Sequence, residues 1–164
     1  MRLQLETCGH PPRRRRDDAG FTLIEILVVL LIAMVLSAMA IPSFLNAMRT
    51  YRLSAAVSAA TGVIQATRFQ AIMRGYQYRV TFTPSTLSFQ VYNMVPPATT
   101  FSAVGTAVPI ARFGDVTLDQ TVTFTFNPNG TVSPTAGNLP FSISNGIVTK
   151  AINVSGVGNV SVSP

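Results

Sequence analysis

The run from Phe21 to Ile41 is 21 residues long and Glu25 is its only charge. At about 1.5 Å per residue such a helix is roughly 32 Å long, enough to cross the hydrocarbon of a bilayer. A segment this apolar cannot stand in water as an ordinary surface helix, so it dictates where the rest of the chain is placed. Arg13, Arg14, Arg15 and Arg16 precede it, whereas Arg49 and Arg52 lie some residues beyond its far end. That asymmetry holds the N-terminus in the cytoplasm and sends everything after Ile41 across the membrane.

Glu25 is the anomaly in this segment. An ionised acid within a membrane helix costs about 2.5 to 3.5 kcal/mol on insertion scales, so a partner is expected for it. No Lys, Arg or His lies between Phe21 and Ile41. A free α-amino group at Phe21 would serve, and it exists if the chain is cut after Gly20. It could pair with Glu25 of the same chain or of a neighbour, and intermolecular pairing would set the axial register of a helical assembly.

The stretch Gly20-Phe21-Thr22-Leu23-Ile24-Glu25, with a basic leader before it, the apolar run behind it and Pro42 at its end, resembles the type IV prepilin family. The resemblance implies cleavage after Gly20 by a prepilin peptidase, N-methylation of Phe21, and packing of the apolar helix into a filament core. It also marks Glu25 and Pro42 as assembly residues, Pro42 as a helix-bending proline. Two plainer readings stand beside it. One is a secretory signal peptide with Ala38-Met39-Ala40 as its exit, against which stand the length of the apolar run and the presence of Glu25; the other is a single-pass anchor with an incidental acid.

Four segments follow: a leader over 1–20, a transmembrane helix over 21–41, an amphipathic helix over 42–75 and a β-rich head over 76–164. Leader removal takes with it Cys8 and His10, the only cysteine and histidine, so no disulfide braces the mature chain. The leader's five arginines against three acids carry +2 of the net +6, leaving +4. The acids that remain are Glu25, Asp115 and Asp119, which assemble neither a nucleophile and base pair nor a metal cluster. The chain is therefore not expected to be an enzyme, with no catalytic residue, cofactor or metal site. Asp115 and Asp119 read as turn residues rather than calcium ligands, since two carboxylates alone make a weak site.

Beyond Pro42, Leu53, Val57, Ala60, Ile64 and Ala71 keep a helical period, and Pro42 should bend rather than end the helix. Ala55, Ala56, Ala59, Ala60 and Ala66 are small enough to admit a sheet closely, and Gly75 has the composition of a C-cap. From Tyr76 the period becomes two. The strands expected are Tyr76 to Thr83, Leu87 to Tyr92, Val108 to Phe113, Thr121 to Phe126, Leu139 to Ser144, Ile147 to Val154 and Asn159 to Val162. Asn127-Pro128-Asn129-Gly130 is a turn, Asn145-Gly146 is a tight hairpin, and Asn93 to Ala107 is an exposed loop. The fold class is α+β, a long N-terminal helix packed on an antiparallel sheet or sandwich.

Three pieces of the chain narrow the resemblance: Arg68-Phe69-Gln70-Ala71-Ile72-Met73-Arg74-Gly75, Tyr78-Arg79-Val80-Thr81-Phe82, and Phe124-Thr125-Phe126 running into the Asn127 turn. They resemble the GspH/FimT-like pseudopilins. The resemblance implies a structural minor pseudopilin of type II protein secretion. Its partners would be other pseudopilins in a periplasmic filament, the secretion platform proteins and the bacterial inner membrane. The alternative is a FimT-like type IV pilus subunit serving pilus assembly or DNA uptake. The family's terminal strand carries a Gly-Arg pair where this chain has Gly156-Val157-Gly158-Asn159, and the last cation is Lys150. DNA is thus not expected as a partner, because phosphate binding needs clustered cations.

Replacing the residue before the cut tests the processing expectation. Gly20→Leu should leave a full-length precursor, whereas mass spectrometry of the membrane-extracted parent should show a terminus at Phe21; any other terminus excludes the prepilin reading.

Overall fold

Thr22 starts the first element. Its carbonyl accepts from the N–H groups of Glu25 and Ile26 at 3.1 and 3.3 Å, and its hydroxyl accepts from the Glu25 N–H at 3.3 Å. These bonds cap α1, a 52-residue helix over Leu23–Arg74. The structure is a computed structural model that describes residues 21–111, 115–136 and 140–164, the side chains of 134–136 excepted. Gly20 and the rest of the leader, Arg112, Phe113 and Leu139 lie outside the described residues.

By its internal contacts the chain divides into two units that meet between Ile41 and Pro42. In the first, every residue from Phe21 to Ile41 is exposed. The second begins with Pro42, through which α1 is continuous. Pro42 has no N–H to offer the carbonyl one turn back, a defect worth about 3 kcal/mol in an ordinary helix interior.

From Leu53 the helix becomes one-sided. Leu53, Ala56, Val57, Ala60, Ile64, Thr67 and Ala71 are buried, a stripe at spacings of three and four. All five expected apolar positions belong to it. Of the five small residues expected to face the sheet, only Ala56 and Ala60 do; Ala55, Ala59 and Ala66 are exposed, because the stripe's phase carries them to the opposite face. Thr67 is tolerated inside because its hydroxyl donates to the Val63 carbonyl at 2.7 Å. After Arg74 the chain turns at Gly75, whose φ of +73° is left-handed and whose N–H donates to the Ala71 carbonyl at 3.0 Å.

Two antiparallel sheets follow. The strands are β1 (Tyr78–Thr83), β2 (Ser88–Asn93), β3 (Ser102–Pro109), β4 (Thr117–Leu118), β5 (Val122–Phe126), β6 (Val132–Ala136), β7 (Phe141–Ser144), β8 (Thr149–Val154) and β9 (Val160–Ser163). One sheet runs β3-β2-β1-β5-β6 and the other β4-β7-β8-β9. Alternation in β1 sends Tyr78, Val80 and Phe82 inward, while β5 opposes them with Phe126, Phe124 and Val122 in the same register. On the other face of this pair the Thr81 and Thr123 hydroxyls lie 3.1 Å apart, and Arg79 Nε donates to Thr125 Oγ1 at 3.2 Å. Phe141 of the second sheet stacks on Phe82 at 5.4 Å and tilts against Phe124 at 5.9 Å, so the two sheets and the helical stripe share one core.

Several expected boundaries are corrected. The exposed loop over Asn93 to Ala107 is too long: Ser102–Pro109 pairs with β2 as an edge strand. All its side chains are exposed, so the sheet holds it by backbone bonds rather than burial, and the period-two signal is absent. The expected strand Val108 to Phe113 is correspondingly displaced. Asn145-Gly146 is not a two-residue hairpin: Ser144 pairs with Thr149 around a four-residue loop, and Asn145 Oδ1 accepts from the N–H groups of Ile147 and Val148 at 3.0 and 2.7 Å. Strand β8 therefore starts at Thr149 rather than Ile147. Strands β4 and β6 were not anticipated; each is an outer strand of its sheet, and Pro134 sits in β6 where only an edge accepts a proline.

The stripe should dominate stability. Ile64→Ala should lower the unfolding free energy by about 2 to 5 kcal/mol, whereas Phe69→Ala, on the exposed face, should stay within about 0.5 kcal/mol. Urea titration of the detergent-solubilised protein distinguishes the two, and equal losses would refute this division of the helix.

Candidate functional site

Two regions carry chemistry: the start of α1 and the end of its second half. At the start, Phe21 is exposed and Glu25 stands in the first helical turn with an exposed side chain. Thr22 and Glu25 have the N-cap and third-position spacing of a capping box, and the Thr22 hydroxyl makes its half of it. Sequence reasoning missed this pairing although Thr-x-x-Glu was there to be read. It alters the energetics of Glu25 but does not settle them. A carboxylate at a helix N-terminus gains about 0.3 to 1 kcal/mol from the peptide dipoles, well under the roughly 2.5 to 3.5 kcal/mol insertion cost. The need for a cation persists, and the nearest basic side chain along α1 is Arg49.

Among the described residues the cations beyond Pro42 are dispersed rather than gathered. Arg52 on α1 forms an ion pair with Asp115. Arg79 lies 3.7 Å over the Phe101 ring, and Lys150 Nζ reaches Ser54 Oγ at 3.5 Å. Arg49 borders a shallow recess with Asp115, Thr117, Asn145 and Gly146. Arg74 occupies the last turn of α1, where the carbonyl end of the helix favours a cation. Asp119 is exposed, and its N–H donates to the Ser142 carbonyl at 3.2 Å. Among the described residues no three of His, Cys, Asp and Glu come together as a metal could require. Tyr76 and Tyr78 stack at 5.3 Å, and the hydrogen bond between their hydroxyls is the chief cause raising the Tyr76 ionisation above the ordinary tyrosine value.

Arg68 is placed differently from the others. Its Nε donates to the Gly130 carbonyl at 3.1 Å in the β5–β6 turn, and its stem lies against Gly158 in the β8–β9 turn. A Cβ on Gly158 would stand 2.6 Å from Arg68 Cδ and would displace the arginine, and the φ of +80° is one that favours glycine. The two turns are joined as well by the Val132 N–H donating to the Gly156 carbonyl at 2.9 Å.

With this geometry in view, the comparisons with known proteins are informative. Residues 15–41 match the prokaryotic N-terminal methylation motif, and residues 56–158 match the family described as type II transport protein GspH. A comparison with curated proteins finds no match. Among solved structures, the chain resembles the type IV minor pilin FimU of Pseudomonas aeruginosa at 16% identity and a TM-score of 0.52, covering 71% of this chain and 91% of that one. It is also similar to the minor pseudopilin EpsH from the type 2 secretion system of Vibrio cholerae at 13% identity and a TM-score of 0.48, covering 66% and 95%. The FimU likeness shows that the fold, one long helix packed on antiparallel sheets, is that of a pilin. With its methylation motif on a membrane-length apolar helix and the GspH match over more than half its length, the chain belongs to the GspH family: a membrane-anchored, type IV pilin-like minor pseudopilin and not an enzyme.

Proposed function

We propose that the protein is a structural minor pseudopilin of a type II secretion system, joining a periplasmic pseudopilus through Phe21–Ile41. The observation that carries this reading is the first unit: an apolar helix, exposed on every side and marked by one acid in its first turn. Such a surface needs lipid before assembly and neighbouring helices after it. The GspH match over residues 56–158 favours the secretion apparatus over the pilus.

In this reading residues 1–20 are the leader, removed after Gly20 by the prepilin peptidase, and Phe21 becomes the methylated N-terminus. Arg13 to Arg16 keep that end in the cytoplasm, so the protein sits once through the inner membrane with residues 42–164 in the periplasm. Glu25 pairs with a terminal amine during docking, residues 21–41 pack in the filament core, and the head over 76–164 faces cargo or other subunits. Platform proteins add subunits at the base, and the growing filament drives folded cargo outward. A second reading, a minor pilin of a type IV pilus, draws on the fold likeness to FimU. Deleting the gene separates them: accumulation of exoproteins in the periplasm indicates secretion, and loss of surface pili with normal secretion indicates the pilus.

Glu25→Ala should insert into the membrane as well as the parent or better, because the acid's penalty of about 2.5 to 3.5 kcal/mol disappears. Its incorporation into filaments, read by cross-linking of neighbouring subunits, should fall by about tenfold or more. Normal incorporation would remove the pairing role of Glu25.

A further inference from the structure

Arg68 is a half-buried cation with no counter-charge among the described residues. Its Nε is committed to Gly130, yet among the described residues no carboxylate lies within 4.0 Å of it and neither terminal nitrogen has an acceptor. A groove of about 660 Å³ opens beside it, walled by Gln65, Phe69 and Ile72 of α1 and by Gly158 and Asn159 of the β8–β9 turn.

Phe69, Ile72 and Met73 stand at relative positions i, i+3 and i+4, so they share one face of α1, opposite the stripe that builds the core. Phe69 is 63% exposed and Met73 68% exposed, although a helix already anchored by its other face has no structural use for them. Aromatic, methionine and arginine side chains grouped in this way have the composition of the buried centre of a protein interface. Charge selects the partner. Beyond Pro42 the chain has seven basic residues and two acidic ones, and of the two Asp115 is already held by Arg52. A second copy could therefore offer only Asp119, and a nucleic acid would need several cations where this groove presents one among apolar walls.

We propose that this groove seats an acidic, apolar segment of a different subunit in the same filament. One carboxylate of that segment bonds the free end of the Arg68 guanidinium, and an apolar side chain lies over Phe69 and Ile72. The inference rests on the filament reading for the kind of partner, while its chemistry comes from the groove alone.

The test uses the full-length protein in its own host, with a photo-crosslinking amino acid in place of Met73. The expected product joins it to one different membrane-anchored subunit, within a peptide that contains Asp or Glu. Phe69→Asp and Arg68→Glu should each lower the yield by about tenfold or more, and changing the partner's acid to lysine should restore it in Arg68→Glu. Because Arg68 also holds the Gly130 turn, Phe69→Asp, at an exposed position outside the core, is the variant that decides the matter if Arg68→Glu does not fold. Cross-links only to lipid, to nucleic acid or to other copies of this chain, or an unchanged yield in Phe69→Asp, would overturn the proposal. Normal incorporation of Glu25→Ala removes the pairing role of Glu25 and leaves this result standing. Intact incorporation without the Met73 cross-link removes the groove proposal alone.

Discussion

The buried stripe of α1 is the constraint on which the head depends. Among the described residues, Leu53, Ile64 and their neighbours form the helical surface on which the two sheets close, and the aromatic contacts of Phe82, Phe124 and Phe141 form against it. Each fully buried side chain of this size contributes about 1.5 to 3 kcal/mol from its removal from water. By comparison the Arg52–Asp115 pair, with side chains 31% and 37% exposed, contributes about 0 to 1 kcal/mol. Charge therefore orients the loop at Asp115 upon the helix, while apolar packing supplies the stability.

The same helix obeys opposite rules on either side of Pro42. Before it the side chains are apolar all round and unburied, which suits lipid; beyond it, from Leu53 onward, a buried apolar stripe runs along one face, which suits a water-soluble core. The change of pattern needs no loop, and so α1 runs unbroken through a proline that would ordinarily mark an end.

What could be read from the sequence follows from where side chains determine structure. The helical stripe, the Gly75 cap, the centres of β1, β2, β5, β7 and β8 and the Asn127 turn were legible, because burial or left-handed backbone imposes residue type at those places. Strand β3 was not, since Ser102–Pro109 is held at an edge by backbone bonds and its side chains meet only solvent. Strand β6 was hidden by Pro134, and the Asn145 loop by an Asx-type capture of two N–H groups that mimics a tighter turn. At the functional end, the acid and the apolar run were plain. The Thr22 cap was overlooked, and the seating of Arg68 between two glycine turns is a tertiary fact that no local spacing encodes.

The capping arrangement explains why an acid belongs in the first turn of such a helix rather than deeper. At the third helical position Glu25 lies within a turn of the residue that cleavage would make the new terminus, and the peptide dipoles there favour its negative charge. In an uncut precursor Phe21 has no free amine, and the nearest positive charge in sequence, Arg16, lies on the other side of the Gly20 junction. On the proposed reading, cleavage therefore changes an unpaired acid into one half of an ion pair, and only a mature subunit is electrostatically complete for docking. An acid placed at mid-membrane would bear the full desolvation penalty before assembly, with neither cap nor dipole to offset it. On that reading its position at the rim keeps the waiting state tolerable, and with no Lys, Arg or His between Phe21 and Ile41 a Phe21 amine, the subunit's own or a neighbour's, is the partner that completes it.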